Sequence, residues 1–295
     1  MTSDIDIRLL STPEEMASAE EIQRQVWPDD EVGIIPAHML LALAHNGGLV
    51  LGAEVDGQLA GMLIGFLGTD QQTDRELAMT RLKHASHSMG VLPQYRDRGI
   101  GYHLKLAQRQ IMLNEGIRLI TWTYDPLLSR NAHLNIRRLG AIVQHYFPDW
   151  YGEMRDGINR GVASDRFAVE WWITTHRVKA RLDKNRPGVS LDQYFEGGIK
   201  PSNPVHRYKD AWPLPSEYNR LDEARLVMVE IPPNYQLMRQ HELDLAIEWR
   251  QHSRQMFEDL FDHGYLVTDF IFHPGSGEDP DKAYYIFSYG EVTFG

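Results

Sequence analysis

The chain has 295 residues, 42% hydrophobic and 24% charged, the composition of a globular protein with room for one generous domain or two ordinary ones. It contains no cysteine, which excludes disulfides, thiolate metal sites and a cysteine nucleophile and suits a reducing cytoplasm. The net charge of −11 argues against a nucleic-acid scaffold; it agrees with a cationic substrate such as an amine, although charge that only keeps a protein in solution explains it more simply.

The first residues, MTSDIDIRLL, have no basic region leading into an apolar one, so no secretory signal is expected. No apolar run reaches the roughly eighteen residues that a membrane span needs. Ile5 to Leu9 alternates apolar and polar residues, the period of a short strand. Ser11-Thr12-Pro13-Glu14-Glu15 then supplies a cap, a first-turn proline and acids at the positive end of a helix dipole. A helix is predicted from there to about Val26, and a second from Pro36 to His45, stopped by Asn46-Gly47-Gly48. Leu49 to Val55 and Leu59 to Phe66 read as strands joined by Asp56-Gly57, the strongest short hairpin signal in the chain. Residues 68–82 are polar and read as a loop.

The stretch from His84 to Glu115 speaks about function. Ala85 to Val91 is short, partly apolar and bounded by Pro93, hence a strand. From Ile100 the apolar residues at 100, 104, 107 and 111 mark one helix face. Between them lies Gln94-Tyr95-Arg96-Asp97-Arg98-Gly99-Ile100-Gly101. A strand that feeds through a glycine-rich turn into a helix brings several backbone N–H groups and the positive end of the helix dipole to one place. Such a turn is an anion site suited to a pyrophosphate. A Cβ at Gly99 or Gly101 would obstruct the approach, and Arg96 and Arg98 add charge where the loop opens. No G-x-x-x-x-G-K-[ST] occurs, and no G-x-G-x-x-G opens a first strand–helix–strand unit, which sets aside the P-loop and dinucleotide folds.

Further along, Gly116 stops the helix and Ile117 to Tyr124 is a strand. Ser129 to Leu139 reads as a helix closed by Gly140, Ala141 to Phe147 as a strand, and Asp165 to Ile173 as the last strand of the sheet. Residues 177–222 are rich in Pro and Gly and read as irregular, surface-wrapping chain, opening with the basic cluster Arg177, Lys179, Arg181, Lys184 and Arg186. Leu226 to Ile231 is a strand followed by Pro232-Pro233-Asn234-Tyr235, which parallels Val91-Leu92-Pro93-Gln94-Tyr95. A helix is predicted from about His241 to Phe261, and Gly264 to Pro274 has the length and pattern of Gly116 to Pro126. Ala283 to Ser288 is the final strand. The pattern raises internal repetition, a second and degenerate strand–helix–strand copy that would extend the sheet or wall an acceptor cleft, with chance similarity as its rival. The copy has Gln236 to Gln240 in place of the glycines and should not bind pyrophosphate.

The spacing R-x-x-G-x-G at Arg96 to Gly101, after a strand ending in an apolar–proline pair, resembles the acyl-CoA-binding signature of the GNAT superfamily of N-acetyltransferases. The order strand, two helices, hairpin, strand, glycine loop, helix, strand is similar to that fold. The likeness covers roughly residues 5–175; its specific part is Ser86 to Gly101, with weaker support from Ala132, Arg138 and Leu139-Gly140. It implies an α/β fold over 1–176, a GNAT-like mixed central sheet flanked by helices; composition and pattern add an irregular linker over 177–222 and a smaller C-terminal α/β domain over 223–295, the degenerate half-repeat or its chance likeness. It also implies acetyl-CoA as co-substrate, held by Met89, Val91, Arg96, Asp97, Arg98, Gly99, Ile100, Gly101, Tyr102 and Asn131, with the Val91 backbone polarising the thioester oxygen. The acetyl group would pass directly to an amine on a small molecule or peptide, in a cytoplasmic protein without nucleic-acid or membrane partners, a homodimer being left open. The basic cluster would be a solvated face or, in a sharper reading, would meet the 3′-phosphate of CoA or an acidic partner.

A lysine-type amine has a pKa of about 10.4 and must lose a proton before it attacks. Glu54, His87, Asp125 and Asp149 are the candidates for that base. Family members often carry a tyrosine that protonates the departing thiolate at the position of Ile136, and an asparagine at that of Ser129. Tyr124, Tyr146 and Tyr151 are the candidates to replace the tyrosine. His84 and His87 face opposite sides of a strand, and the other histidines show no ligand spacing, so no metal is expected. Two alternatives remain: a non-catalytic acyl-CoA sensor, and a tandem-fold aminoacyl transferase that would have to recognise tRNA against the charge of the chain.

Overall fold

The computed structural model describes residues 5–28, 31–70, 82–152, 161–183, 188–206, 208–209, 212–219, 224–276 and 279–290. They fall into two compact units, Met1–Trp122 with 155–160, and Thr123–Met154 with Gly161–Gly295. The division follows packing and falls within a strand, Leu119–Tyr124, whereas the partition at 176 and 222 follows composition.

The first unit contains β1 (Ile5–Leu9), α1 (Pro13–Val26), α2 (Ala37–His45), β2 (Leu49–Val55), β3 (Gln58–Thr69), β4 (Leu82–Val91), α3 (Ile100–Asn114) and β5, which starts at Leu119 and ends at Tyr124. The strands stand in the order β1-β2-β3-β4-β5, antiparallel up to β4, with β5 parallel to β4. Asp56 and Gly57, with φ of 52° and 77°, make the hairpin turn of β2 and β3 that the sequence expects. The expected loop over 68–82 is shortened by strand at both ends, and 71–81 lie outside the described residues. Met16, Ala19, Ile22 and Val26 of α1 pack with Leu40 of α2 on Val50, Met62 and Ile64. The connection between the two helices is tied back by Gln23: Ile35 N donates to its Oε1 at 2.9 Å and its Nε2 donates to Ile35 O at 3.0 Å.

The second unit contains α4 (Ser129–Ala132), which runs on as a π-helix over His133–Arg138, then β6 (Ile142–Phe147), β7 (Arg166–Trp172), α5 (His176–Leu182), α6 (Leu191–Glu196), β8 (Tyr208–Lys209), β9 (Trp212–Pro213), β10 (Leu226–Ile231), α7 (Tyr235–His241), α8 (Leu243–Asp262), β11 (Tyr265–His273) and β12 (Lys282–Tyr289). Within it the strands stand in the order β7-β6-β11-β12-β10, every neighbour antiparallel. Two expectations are corrected. Residues 177–222 are not wholly irregular: α5 and α6 are short helices, each opened by a hydroxyl cap, Thr175 and Ser190. The proposed copy does not share the topology of its original either. β4 and β5 are parallel neighbours, but β12 lies between β10 and β11 and separates them. The core of this unit is aromatic, with Phe167, Phe257, Phe270, Tyr285 and Phe287 fully buried. The chain also closes the free side of β10: Asn203 donates to Glu230 O and accepts from Glu230 N, both at 2.8 Å, in the manner of a strand partner.

Candidate active site

The turn between β4 and α3 carries the chemistry the sequence points to. Its cap residue Gly99 is left-handed, with φ +80°, and a Cβ there would meet only His103 Cδ2, at 3.9 Å. A side chain would therefore meet strain more than crowding, and the space before it is open to a ligand. Asp97 also has positive φ, 64°, so the loop turns sharply twice just before the helix. Gly99 brings no side chain to cap α3, and first-turn amides are the groups a bound anion satisfies. Arg98 lies over the Tyr95 ring at 5.3 Å, and Arg96 Nε donates to Val91 O at 3.3 Å.

Val91 is placed by the ladder. Leu92 N donates to Ala60 O at 2.9 Å, so by strand alternation the N–H and C=O of Val91 point away from β3, as do those of Met89. The amide that the resemblance assigns to the thioester oxygen thus faces the side of β4 on which β5 pairs with His84 and Ala85, beyond the end of that pairing. Ile100 is buried and Tyr102 half-buried at the start of α3.

The expected acid–base residues are dispersed. Glu54 accepts from Arg8 Nε at 2.9 Å and Nη2 at 2.6 Å, in a network that also holds Glu15. His87 is exposed on β4, 6.0 Å from the Phe66 ring, and partial burial lowers its pKa. In the second unit Tyr124 is enclosed in the core: its hydroxyl meets Tyr285 Oη at 3.0 Å, Tyr285 donates to Pro126 O at 2.7 Å, and burial raises the Tyr124 pKa. Tyr146 donates to Asp165, and burial with that carboxylate raises its pKa too. Asp125 is buried against Arg250, Asp149 accepts from Ser164 N at 3.1 Å, and exposed Tyr151 shares a hydrogen bond of 3.2 Å with Thr123. Asn131 is half-buried on α4, Ser129 donates to Pro232 O at 3.1 Å, and Ile136 is fully buried in the π-helix. Two tyrosines expected to be available thus have engaged hydroxyls.

The sequence model of the acetyltransferase (GNAT) family matches residues 13–140, from the first residue of α1 to the glycine after the π-helix. That stretch is a GNAT domain. Acetyl-CoA-dependent acyl transfer is the general reaction of this family, so acyltransferase is the class of enzyme the domain represents. Among solved structures the chain is similar to an N-acetyltransferase from Staphylococcus aureus Mu50, at 14% identity and a TM-score of 0.46, over 58% of this chain and 100% of the other. It is also similar to yncA from Salmonella typhimurium with its cofactor acetyl-CoA, at 19% identity and a TM-score of 0.44, over 59% and 96%. No curated protein matches it in sequence.

Behind the glycine loop, α3 of the GNAT domain carries a polar group that no motif marks. Lys105 is buried, with Nζ 2.8 Å from Ser86 Oγ, 3.2 Å from Gln108 Oε1 and 3.7 Å from the centroid of the Trp122 ring. Gln108 Nε2 meets His84 Nδ1 at 3.1 Å. His84 in turn covers Gly65, where an added Cβ would lie 2.2 Å from its Cε1. Burial, with the Lys105 charge, lowers the His84 pKa to about 4. Among the described residues there is no group of three or more His, Cys, Asp or Glu able to hold a metal, and no helix long and apolar enough to cross a membrane.

Proposed function

We propose that the protein transfers an acetyl group from acetyl-CoA directly to an amine of a small molecule or peptide in the cytoplasm. The observation that carries this reading is the start of α3 behind left-handed Gly99, which brings no capping side chain, with the Val91 amide turned away from β3. The first turn of α3, with Arg96 and Arg98, holds the pyrophosphate; Met89, Asp97, Ile100, Gly101 and Tyr102 complete the set assigned to the coenzyme within the first unit. The Val91 N–H donates to the thioester oxygen as negative charge grows there. The amine nitrogen forms a bond to the carbonyl carbon, the carbon–sulfur bond breaks, and CoA leaves as a thiolate that takes up a proton. His87 is the base this reading favours: its lowered pKa leaves a neutral imidazole at neutral pH, whereas Glu54 is held by Arg8.

The test is steady-state kinetics of Gly99→Asp. A carboxylate in the phosphate seat should raise the Michaelis constant for acetyl-CoA at least tenfold with the far-ultraviolet spectrum unchanged; an unaltered constant removes the assignment. A second reading, a non-catalytic acyl-CoA module, is favoured by Ile136 and by the engaged hydroxyls of Tyr124 and Tyr146. Release of free thiol across a panel of amines separates the two, because a sensor binds CoA and releases none.

A further inference from the structure

The ladder between β4 and β5 is short. Among the described residues it consists of two residue pairs, His84 with Ile120 and Ala85 with Thr121. On its other side β4 pairs with β3 from Leu82 to Val91, past one bulge. From Ser86 onward, then, hydrogen bonds between the backbones of β4 and β5 do not set the distance between the two strands. It is along this part of β4, at Met89 and Val91, that the amides turned away from β3 face the β5 side.

Ser86 and Trp122 are the residues that follow the last pair, one on each strand. Lys105 of α3 reaches both: its Nζ lies 2.8 Å from Ser86 Oγ and 3.7 Å from the centroid of the Trp122 ring. Gln108, on the same helix, accepts from Nζ at 3.2 Å and meets His84 Nδ1 at 3.1 Å, so α3 grips β4 on both sides of Ala85. Lys105 is only 2% exposed. A methionine would fill the same space without taking an amine out of water. The polar side chain therefore adds nothing to the packing that an apolar one would not; what it adds is a tie between two strands at the place where their ladder ends.

We propose that Lys105 is a specificity-determining residue: by tying Ser86 to Trp122 it sets the width of the opening between β4 and β5, and so the size of the acyl group admitted there. This rests on the coenzyme reading above, in which the Val91 N–H meets the thioester oxygen. Ser86 and Val91 are about 17 Å apart along the strand, so Lys105 acts through the spacing of the strands and not by contact with the thioester. A firm tie keeps the opening narrow and favours the short acetyl group; a loosened one admits longer chains. The test is isothermal titration of the wild-type protein and of Lys105→Met with acetyl-CoA and, separately, butyryl-CoA. The preference is read as the ratio of the two dissociation constants, which needs no turnover and which a partly unfolded sample leaves unchanged. The wild-type protein should bind acetyl-CoA more tightly, and Lys105→Met should shift the ratio toward butyryl-CoA at least fivefold. Trp122→Leu removes the β5 end of the tie, should act in the same direction, and serves if Lys105→Met does not fold. A ratio unchanged in the folded variants, or a wild-type preference for butyryl-CoA, overturns the proposal and leaves the coenzyme reading standing. Absence of saturable heat from both coenzymes removes the two together.

Discussion

Lys105 carries the sharpest conflict between local chemistry and burial. Three partners, Ser86 Oγ, Gln108 Oε1 and the Trp122 face, suit an ammonium, but complete burial drives its pKa well below 10.5. The depressed value means that unfolding takes up a proton in the window below 10.5, so stability should rise with pH there and fall on acidification until the native pKa is passed. Lys105→Met removes that titration. Urea unfolding across the window should give the wild-type a steeper rise by up to about 1.4 kcal/mol per pH unit; parallel curves would contradict the assignment. This residue also explains why the inner face of α3 was hidden. Counting apolar positions selects 100, 104, 107 and 111, whereas the buried set is Ile100, Leu104, Lys105, Gln108 and Met112. Polar side chains on β4 receive polar side chains from α3, and a hydrophobic count is blind to that pairing.

At the scale of elements, the signals that carried best were those in which side chain and backbone agree locally. α1 is one: Glu15 N donates to Thr12 Oγ1 at 3.3 Å, and Glu15 Oε2 accepts from Ser11 N at 2.7 Å and Thr12 N at 3.0 Å. Those two amides, with Arg8, lower the Glu15 pKa from 4.5 to about 2. The depressed value places the contribution above pH 4.5 and removes it as pH falls toward 2. Glu15→Ala should cost about 1 kcal/mol at neutral pH by chemical denaturation and flatten acid unfolding over that window. Equal acid sensitivity of the two proteins would show that the network does not carry it. Elements set by distant partners were harder to read. The helix predicted over 241–261 is α8, but the short α7 before it is not marked in the sequence, and 133–138 winds as a π-helix where the sequence suggests ordinary helix. The helices α5 and α6 are too short for periodicity to detect; the partner that orders Arg177 and Arg181, the Asp269 strand, lies some ninety residues on.

For the whole molecule, the order of elements in the first unit followed from local signals, and the glycine turn stands between β4 and α3 as expected. The second unit was legible only as separate strands and helices. That β12 inserts between β10 and β11 depends on pairing across the sheet, about which local pattern says nothing. Nor does sequence reveal how the outer side of β10 is shielded. Asn203→Ala removes both hydrogen bonds to Glu230 and leaves buried backbone groups unmet, at a cost of about 2 kcal/mol or more. It should also expose a strand edge, so light scattering should report association that increases with concentration. Loss of stability without association would confine Asn203 to a local role.

The Gln23 amide has a similar reach within the first unit. By holding Ile35 from both sides it fixes the entry to α2 against the third turn of α1. Residues added to or removed from the connection are then absorbed ahead of Ile35, so the chain can vary its length at that place while both helices keep their register on the sheet.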